Sequence, residues 1–253
     1  MRPASTDARL RLDQLLVDRG LFATRSRARD AIARGRVKLE GRVETKAGRI
    51  VLSSTALDVD DPAQGYVSRA ALKLIAALDA FGLDPAGRIC LDIGASTGGF
   101  TQVLLQRGAA AVFALDVGHS QLHESLRDDL RVTVLEGLNG RDLKLEHLGG
   151  AAPDFLVSDV SFISLRLALP PALALSASGC LAAFLVKPQF EAGREAIGKG
   201  GILRDPARGE EIAAELSGWL DGRPGWRSLG WIASPIEGGD GNREFLLAGT
   251  KTR

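Results

Sequence analysis

After residue 84, short apolar runs alternate with longer segments whose apolar residues recur at helical spacing. The runs predict strands at residues 89–93, 111–116, 132–136, 154–160, 180–187, 228–232 and 245–248. The segments between them predict helices at residues 99–107, 120–130, 164–176 and 206–221. This alternation predicts a doubly wound, mostly parallel α/β sheet with crossover helices. The tight loop at residues 238–241 favours an antiparallel last strand.

The first 59 residues show a different pattern, which predicts a small α+β domain. A helix is predicted up to Gly20, and Thr24 is a candidate N-cap for a second helix at residues 25–34. Short alternating strands follow from Val37 to residue 59. The apolar positions of the first helix are Leu10, Leu12, Leu15 and Leu16.

An amphipathic helix is predicted between these two regions, at residues 70–81, with Ser68 as a candidate cap. Lys73 lies at the edge of its apolar stripe, a position that taken alone is typical of a solvated surface lysine. Residues 58–65 are rich in Asp, Pro and Gly and predict a domain boundary. We therefore divide the chain into a small domain at 9–59, a linker at 60–67 and a large domain at 68–250.

Composition narrows the class of protein. Of 253 residues, 45% are hydrophobic and 25% charged, which is typical of globular domains. The two cysteines, Cys90 and Cys180, lie in predicted strands, so we expect buried thiols and neither a disulfide framework nor a metal site. No apolar run reaches the roughly 18–20 residues of a membrane span, and the first residues do not resemble a signal peptide. We expect a cytoplasmic protein without a membrane partner.

Charge is unevenly distributed along the chain. The first 49 residues carry 13 Lys+Arg against 6 Asp+Glu, a local charge of +7, so the remainder carries −6 of the net +1. A row of arginines lies in and after the second predicted helix, where Asp30 is the only acid expected to offset it. Such a row is either a solvated helix face or a surface for phosphate groups. Its members are Arg25, Arg27, Arg29, Arg34 and Arg36.

A glycine-rich turn joins the first strand of the large domain to its first helix, at residues 91–101. Such turns bring backbone N–H groups close to a ligand. The spacing, with Asp92 before Gly94 and then Gly98-Gly99, is not the dinucleotide fingerprint G-x-G-x-x-G. It resembles the S-adenosylmethionine loop of class I methyltransferases, in which the acid that ends the second strand, here Asp116, holds the ribose hydroxyls.

Charged residues also stand at two neighbouring strand ends, Asp159 after the fourth strand and Lys187 after the fifth. Ligands of doubly wound sheets bind at the carboxyl ends of the strands. A structural ion pair is the alternative, but buried pairs lose hydration and stabilise weakly. We therefore expect both side chains in one functional cleft.

Two ordered sets of motifs resemble known families. Arg11-Leu12-Asp13, Ser26-Arg27, Ala31-Ile32 and Gly35-x-Val37 resemble the S4 RNA-binding domain. Over residues 11–247, the chain resembles the TlyA, or haemolysin A-like, family of S4-containing ribosomal RNA 2′-O-methyltransferases, whose catalytic domain is of the FtsJ/RrmJ type. The matching segments include residues 68–74, 92–101, 158–165, 187–191, 199–206 and 241–245.

The resemblance implies a set of site residues. The family's Lys-Asp-Lys-Glu tetrad corresponds to Lys73, Asp159, Lys187 and Glu244. The implied cofactor is S-adenosylmethionine, with contacts from Asp92, Gly94, Ala95, Ser96, Thr97, Gly98, Gly99, Phe100, Asp116, Val117, Asn139 and Asp159. The implied partner is ribosomal RNA within ribosomal subunits, bound by Arg11, Arg25, Arg27, Arg29, Arg34, Arg36 and Arg69. No metal is implied, and the protein is expected to be a monomer or a weak homodimer.

The resemblance also implies a reaction, methylation of a cytidine 2′-hydroxyl in 23S rRNA, with 16S rRNA as a second candidate. Lys187 would lie at the reacting oxygen, either as a cation or, with a pKa lowered by burial, as a proton acceptor. Asp159 and Glu244 would hold the lysines, and Lys73 would add positive charge or position the nucleotide. The residue that accepts the proton stays open.

Three alternatives are weighed against this interpretation. A methyltransferase fold that only binds RNA is opposed by the complete glycine loop and tetrad. A pore-forming haemolysin is suggested by the family's name, but no signal peptide, amphipathic β-repeat or membrane span in the sequence supports it. Pseudouridine synthases also carry S4 domains, but they need no S-adenosylmethionine loop.

Overall fold

The computed structural model describes residues 7–239 and 241–252. The chain separates into two compact units, of which the first ends at Gly65 and the second begins at Tyr66. Each unit has its own hydrophobic core. The fold therefore combines a small N-terminal α+β unit with a larger α/β unit.

The first unit packs two helices against short strands. The elements are β1 (Arg9–Arg11), α1 (Leu12–Asp18), α2 (Arg25–Ala33), β2 (Val37–Leu39), β3 (Arg42–Val43), β4 (Ile50–Leu52) and β5 (Leu57–Val59). Strands β1 and β4 pair antiparallel, and the other three strands form a sheet in the order β3-β2-β5. The Thr24 side chain accepts a hydrogen bond from the Arg27 N–H, which confirms the predicted N-cap.

The structure of this unit differs from two sequence-based expectations. Leu10 lies in β1, opposite Val51 of β4, and not in the first helix, because its backbone pairs with that strand. Part of the segment predicted as a linker packs into the first unit: Asp61 and Ala63 are buried, and Asp61 forms an ion pair with Arg34.

The second unit is built around a seven-stranded sheet. Its strands are β6 (Ile89–Ile93), β7 (Ala111–Asp116), β8 (Val132–Glu136), β9 (Phe155–Ser158), β10 (Leu181–Val186), β11 (Trp226–Ala233) and β12 (Phe245–Lys251). They follow the order β11-β12-β10-β9-β6-β7-β8. The five strands from β10 to β8 are parallel, and β12 is antiparallel to β10 and β11, as predicted.

Helices cover both faces of this sheet and form its two cores. The helices are α3 (Ala71–Phe81), α4 (Gly99–Gln106), α5 (Glu124–Arg127), α6 (Leu165–Ala168), α7 (Pro170–Leu175) and α8 (Arg208–Asp221). Helices α3, α4 and α5 pack on one face, and α6, α7 and α8 pack on the other. Residues of β6 alternate between the two cores, with Cys90 facing one and Leu91 and Ile93 the other.

Two predicted helices are shorter or interrupted. The helix predicted at residues 120–130 is reduced to the single turn α5. Beyond α5, the Asp129 side chain accepts a hydrogen bond from the Arg131 N–H, and the chain turns instead of continuing the helix. The helix predicted at residues 164–176 divides into α6 and α7 at Pro170, which has no N–H to continue the helical hydrogen bonds.

Candidate active site

The sheet topology brings three charged residues to one edge. Asp159 follows β9 and Lys187 follows β10, which run parallel and end at the same side of the sheet. Glu244 precedes β12, whose antiparallel direction places its beginning at that side as well. The pairing of Val186 with Phe245 makes Lys187 and Glu244 the next positions along the two strands. Loops and one antiparallel strand thus collect these residues where α/β sheets bind ligands.

Lys187 is held by two partners on the neighbouring loop. Its Nζ lies 2.6 Å from Asp159 Oδ1 and donates to Ser161 Oγ at 2.8 Å. The side chains are partly accessible, with 12% of Lys187 and 18% of Asp159 exposed. The two side chains are therefore in close ionic contact at a partly accessible position, although Asp159 Oδ1 accepts no hydrogen bond among the described residues.

Lys73 forms a second ion pair, with Glu244. Both side chains are buried, with 7% and 2% exposed, although Lys73 belongs to the amphipathic helix α3. Gly238 borders the carboxylate so closely that a Cβ there would lie 2.6 Å from Glu244 Oε1. The interpretation of Lys73 as a surface residue, which the helix pattern alone favoured, is therefore wrong.

A cavity of about 1290 Å³ opens beside the Lys187–Asp159 pair. One part is lined by residues at the ends of β6, β7 and β8, among them Gly94, Asp116 and Asn139. The other part is lined by the loops that follow β9 and β10, among them Phe162 and Phe190. Asp159 lies on the lining as well, so the cavity joins the glycine-rich turn to the strand ends that carry the charged residues.

The residues predicted to contact a cofactor fall into two groups. The residues that line the cavity are Gly94, Ser96, Asp116, Val117, Asn139 and Asp159. The residues outside its lining are Asp92, Ala95, Thr97, Gly98, Gly99 and Phe100.

The second half of the glycine-rich turn leads away from the cavity because it packs against the protein itself. A Cβ on Gly98 would lie 2.3 Å from Leu126 Cδ1, and one on Gly99 would lie 3.0 Å from Ser68 Cβ. Two backbone N–H groups of the turn, which were expected to face a ligand, have partners within the protein. The Gly94 and Ala95 N–H groups donate to the Leu115 carbonyl oxygen.

Two acids of the turn have different environments. Asp92 is fully buried, accepts a hydrogen bond from Thr101 Oγ1 at 2.7 Å and leaves Oδ1 without a hydrogen-bond donor among the described residues. This burial raises the pKa of Asp92 to about 7. Asp116 is partly exposed and accepts from the N–H groups of Ser96 and Gly118, at 2.8 and 2.7 Å.

Sequence reasoning missed several residues of the lining. Phe162 is 90% exposed, has a left-handed backbone with φ of 64°, and contacts Phe190 with ring centroids 5.0 Å apart. The signal available in the sequence was an aromatic residue three positions after Asp159, in the loop after a predicted strand end. The other residues missed include Gln121, Ser161, Gln189, Phe190 and Arg194.

The first unit holds most of the predicted RNA-binding arginines, and its acids contradict one expectation. Asp30 is not the only acid that offsets the arginine row: Asp13 forms ion pairs with Arg25 and Arg29, and Asp61 forms one with Arg34. Asp13 also pairs with Arg11. Arg69 belongs to the second unit.

Comparison with known proteins identifies the family. Residues 66–251 match the FtsJ-like methyltransferase family, and residues 10–56 match the S4 domain. The chain is 46% identical over 243 residues to the 16S/23S rRNA (cytidine-2′-O)-methyltransferase TlyA of Mycobacterium tuberculosis, covering 94% of this chain and 89% of the relative. The chain belongs to the TlyA family. The resemblance on which the sequence analysis relied is thereby confirmed.

Other TlyA-family relatives carry a different name. Hemolysin A of Brachyspira hyodysenteriae is 40% identical, with 94% of this chain and 98% of the relative covered. A solved structure from Streptococcus thermophilus, also named as a hemolysin, is 42% identical with a TM-score of 0.75, covering 96% of this chain and 89% of that one. In the part of the chain that the structure describes, no helix is both long and apolar enough to cross a membrane.

Proposed function

We propose that this TlyA-family methyltransferase transfers a methyl group from S-adenosylmethionine to the ribose 2′-hydroxyl of cytidine in ribosomal RNA, in 23S and 16S rRNA. The observation that carries the proposal is the Lys187–Asp159 pair, of which Asp159 lines a cavity beside the glycine-rich turn. The 46% identity to the M. tuberculosis TlyA protein supports the substrate.

The residues of the cavity fit the proposed cofactor. Typical ligand pockets measure about 300–1,000 Å³, so a cavity of about 1290 Å³ has room for a cofactor and part of a nucleotide. Asp116 uses one acceptor position of each oxygen, which leaves others for ribose hydroxyls. Gly94 lets the turn that lines the cavity pack against the end of β9, since a Cβ there would lie 2.9 Å from the Asp159 carbonyl oxygen.

The charged residues supply what a 2′-hydroxyl needs to react. When bound, S-adenosylmethionine supplies a methyl group on a positively charged sulfur. Lys187 has three N–H donors, of which Ser161 occupies one; Asp159 faces the ammonium group as an ion-pair partner without a hydrogen bond among the described residues, so a donor is available to the 2′-oxygen. That ammonium group would stabilise the negative charge that develops on the 2′-oxygen as its proton passes to solvent water. This charge would be neutralised when the oxygen bonds the methyl carbon and the bond between that carbon and sulfur breaks.

The Lys73–Glu244 pair has a supporting role in this proposal. Glu244 lies next to Lys187 in the β10–β12 pairing and is neutralised by Lys73. A carboxylate without its partner there would compete for the Lys187 ammonium group. Lys73 thus keeps Lys187 directed to Asp159, Ser161 and the substrate.

RNA binding is assigned to the S4 domain together with the mouth of the cavity. The S4 domain carries exposed arginines, and the cavity is bordered by Phe162, whose exposed ring suits contact with a nucleotide. We therefore propose that the first unit binds ribosomal RNA and that the second unit performs the transfer.

Methyl transfer to ribosomal subunits from cells that lack this protein tests the proposal. Purified protein should add 2′-O-methyl groups to cytidines of 23S and 16S rRNA, mapped by resistance to alkaline cleavage. Lys187→Ala should lower the rate by roughly 10²–10⁴-fold and leave S-adenosylmethionine affinity within about threefold. Lys144→Ala, on a lysine that is 70% exposed, is the control and should keep the full rate.

Three results would contradict the proposal. Near-normal turnover by Lys187→Ala would remove Lys187 from the mechanism. Binding of S-adenosylmethionine without any methyl transfer would favour an inactive RNA-binding protein. Methyl groups on base atoms in place of the ribose would refute the assigned acceptor.

A further inference from the structure

One carboxylate lies at the centre of the S4 domain's arginines. The Asp13 side chain is fully buried, with 0% exposed, yet it contacts three guanidinium groups. Arg11 Nε donates to its Oδ1 at 3.1 Å, and Arg25 Nη2 and Arg29 Nε donate to its Oδ2 at 3.1 and 2.7 Å. The three arginines come from β1 and α2, so a single acid joins two elements.

The same three arginines remain open to solvent. Their side chains are 46%, 42% and 53% exposed for Arg11, Arg25 and Arg29. A guanidinium group has five N–H donors, and Asp13 uses one or two of them on each arginine. Most donors of each group are therefore free of Asp13, and the cluster of three cations and one anion keeps a charge of +2.

Asp13 is ionised throughout the physiological range. Burial by itself would raise its pKa, but hydrogen bonds from Arg11, Arg29 and Arg25 outweigh that effect and hold the pKa well below its ordinary value. A permanent negative charge among RNA-binding residues opposes the approach of phosphate groups. The benefit of the Asp13 charge for RNA binding must therefore come from geometry. An arginine side chain that is already fixed in place loses less conformational freedom when it binds a phosphate group.

A second ion pair in the same unit provides a contrast. Arg34 bonds Asp61 through both terminal nitrogens, at 3.0 and 2.7 Å, and also bonds Asp30 at 2.9 Å. Only 17% of its side chain is exposed. Arg34 thus serves the interior of the unit, although the arginine row in the sequence includes it.

We propose that Asp13 is a positioning residue for RNA, which holds Arg11, Arg25 and Arg29 as one preformed surface for backbone phosphates, and that Arg34 stabilises the domain without joining this surface. The inference rests on the proposed function, because it takes the S4 domain to bind ribosomal RNA. Beyond that function, the inference identifies the arginines that act together and the acid that aligns them.

The sign of the effect of Asp13→Asn tests this proposal. The substitution raises the formal net charge of +1 by one, so charge alone predicts tighter RNA binding. Loss of alignment predicts the opposite. We expect the full-length variant to bind a fragment of ribosomal RNA several-fold more weakly at 100 mM KCl, with a slope of log K against log[KCl] about 1 smaller in magnitude. The KM for RNA should rise while kcat stays unchanged.

Asp61→Asn is the matched control. It makes the same chemical change at an acid that is also buried and also paired with an arginine. We expect it to lower the Tm but to leave the RNA affinity and salt slope of the wild type. This comparison separates a general loosening of the domain, which both variants share, from loss of the arginine surface, which only Asp13→Asn causes.

A second variant keeps the test independent of folding. Arg29→Lys retains the charge but has no planar fork to contact Asp13 and a phosphate together, and it should also weaken RNA binding several-fold. Equal or tighter binding by Asp13→Asn, or equal losses in Asp13→Asn and Asp61→Asn, would overturn the inference. Failure of the wild-type protein to bind ribosomal RNA in a salt-dependent manner would instead refute the RNA-binding part of the proposed function.

Discussion

Lys73 lies among the apolar residues of α3, where a charged side chain loses hydration and must be paired. Its partner Glu244 is 171 residues away in sequence and is also buried. The pair is therefore part of the packing between α3 and β12 as well as part of the proposed site. Substitution can separate its contribution to stability from the proposed contribution to methyl transfer.

Lys73→Met should lower the free energy of unfolding by about 3–5 kcal/mol, because it leaves a carboxylate buried without its partner. Combining it with Glu244→Met should restore most of that loss, since two apolar side chains replace the pair. Urea denaturation measures both effects. We expect both the single and the double variant to have lost methyl transfer. If Lys73→Met were as stable as the wild type, the pair would not contribute to packing.

Asp92 makes stability depend on pH. Its pKa in the folded state is raised to about 7 from 3.8, because burial disfavours the charged form. At this residue the folded protein therefore binds more protons than the unfolded chain between about pH 4 and pH 7, and the contribution of Asp92 to stability falls as pH rises through that window.

Asp92→Asn removes this loss because the amide does not ionise. We expect the stability of the variant relative to the wild type to increase from pH 4 to pH 7, by on the order of a few kcal/mol. Urea denaturation of both proteins at a series of pH values measures the difference in their free energies of unfolding. The contributions of the other titrating groups cancel in this difference. A difference that stays constant from pH 4 to pH 8 would contradict the raised pKa.

At the scale of elements, the turn between β6 and α4 fixes the distance from the glycine-rich segment to the end of β9. Gly94 has φ of 84°, and a Cβ there would meet the Asp159 backbone carbonyl oxygen at 2.9 Å. Backbone atoms cannot rotate away as a side chain can. A larger residue at this position must therefore shift the strand end that carries Asp159.

Gly94→Ala should destabilise the protein and lower methyl transfer together. Its matched control is Gly149→Ala, since Gly149 has φ of 61° with no atom within 4 Å of a Cβ. The control should lose only the roughly 1–2 kcal/mol of a left-handed alanine and keep full activity. Urea denaturation and methyl-transfer rates compare the two. Equal losses of stability with activity retained in both would show that the turn does not position Asp159.

At the scale of the whole molecule, the chain divides its tasks between units with separate cores. The S4 domain presents arginines, and the methyltransferase unit holds the cavity and both ion pairs. The uneven charge along the sequence, with a basic first part and an acidic remainder, agrees with this division. The basic first part can attract a polyanion although the net charge of the whole protein is close to zero.

Much of this architecture follows from local sequence. The bounds of β6, β7 and β8 agree with the predicted strands, because each is a short, mostly apolar run with turn residues beside it. The helix predicted at 120–130 failed because apolar spacing does not reveal where a turn interrupts the backbone hydrogen bonds. Asp159 and Lys187 could be foreseen at one edge, since parallel strands end at the same side of a sheet.

The sequence by itself thus determined the elements, their order, the family and the strand-end residues, since propensity, periodicity and motifs act over short distances. Only the tertiary structure decided the partners. It buried Lys73 against Glu244, placed Asp13 among three arginines and separated the cavity-lining residues of the glycine turn from those that pack beneath it. Such contacts join residues far apart in the chain, and their distances exist only once the sheet and helices have packed.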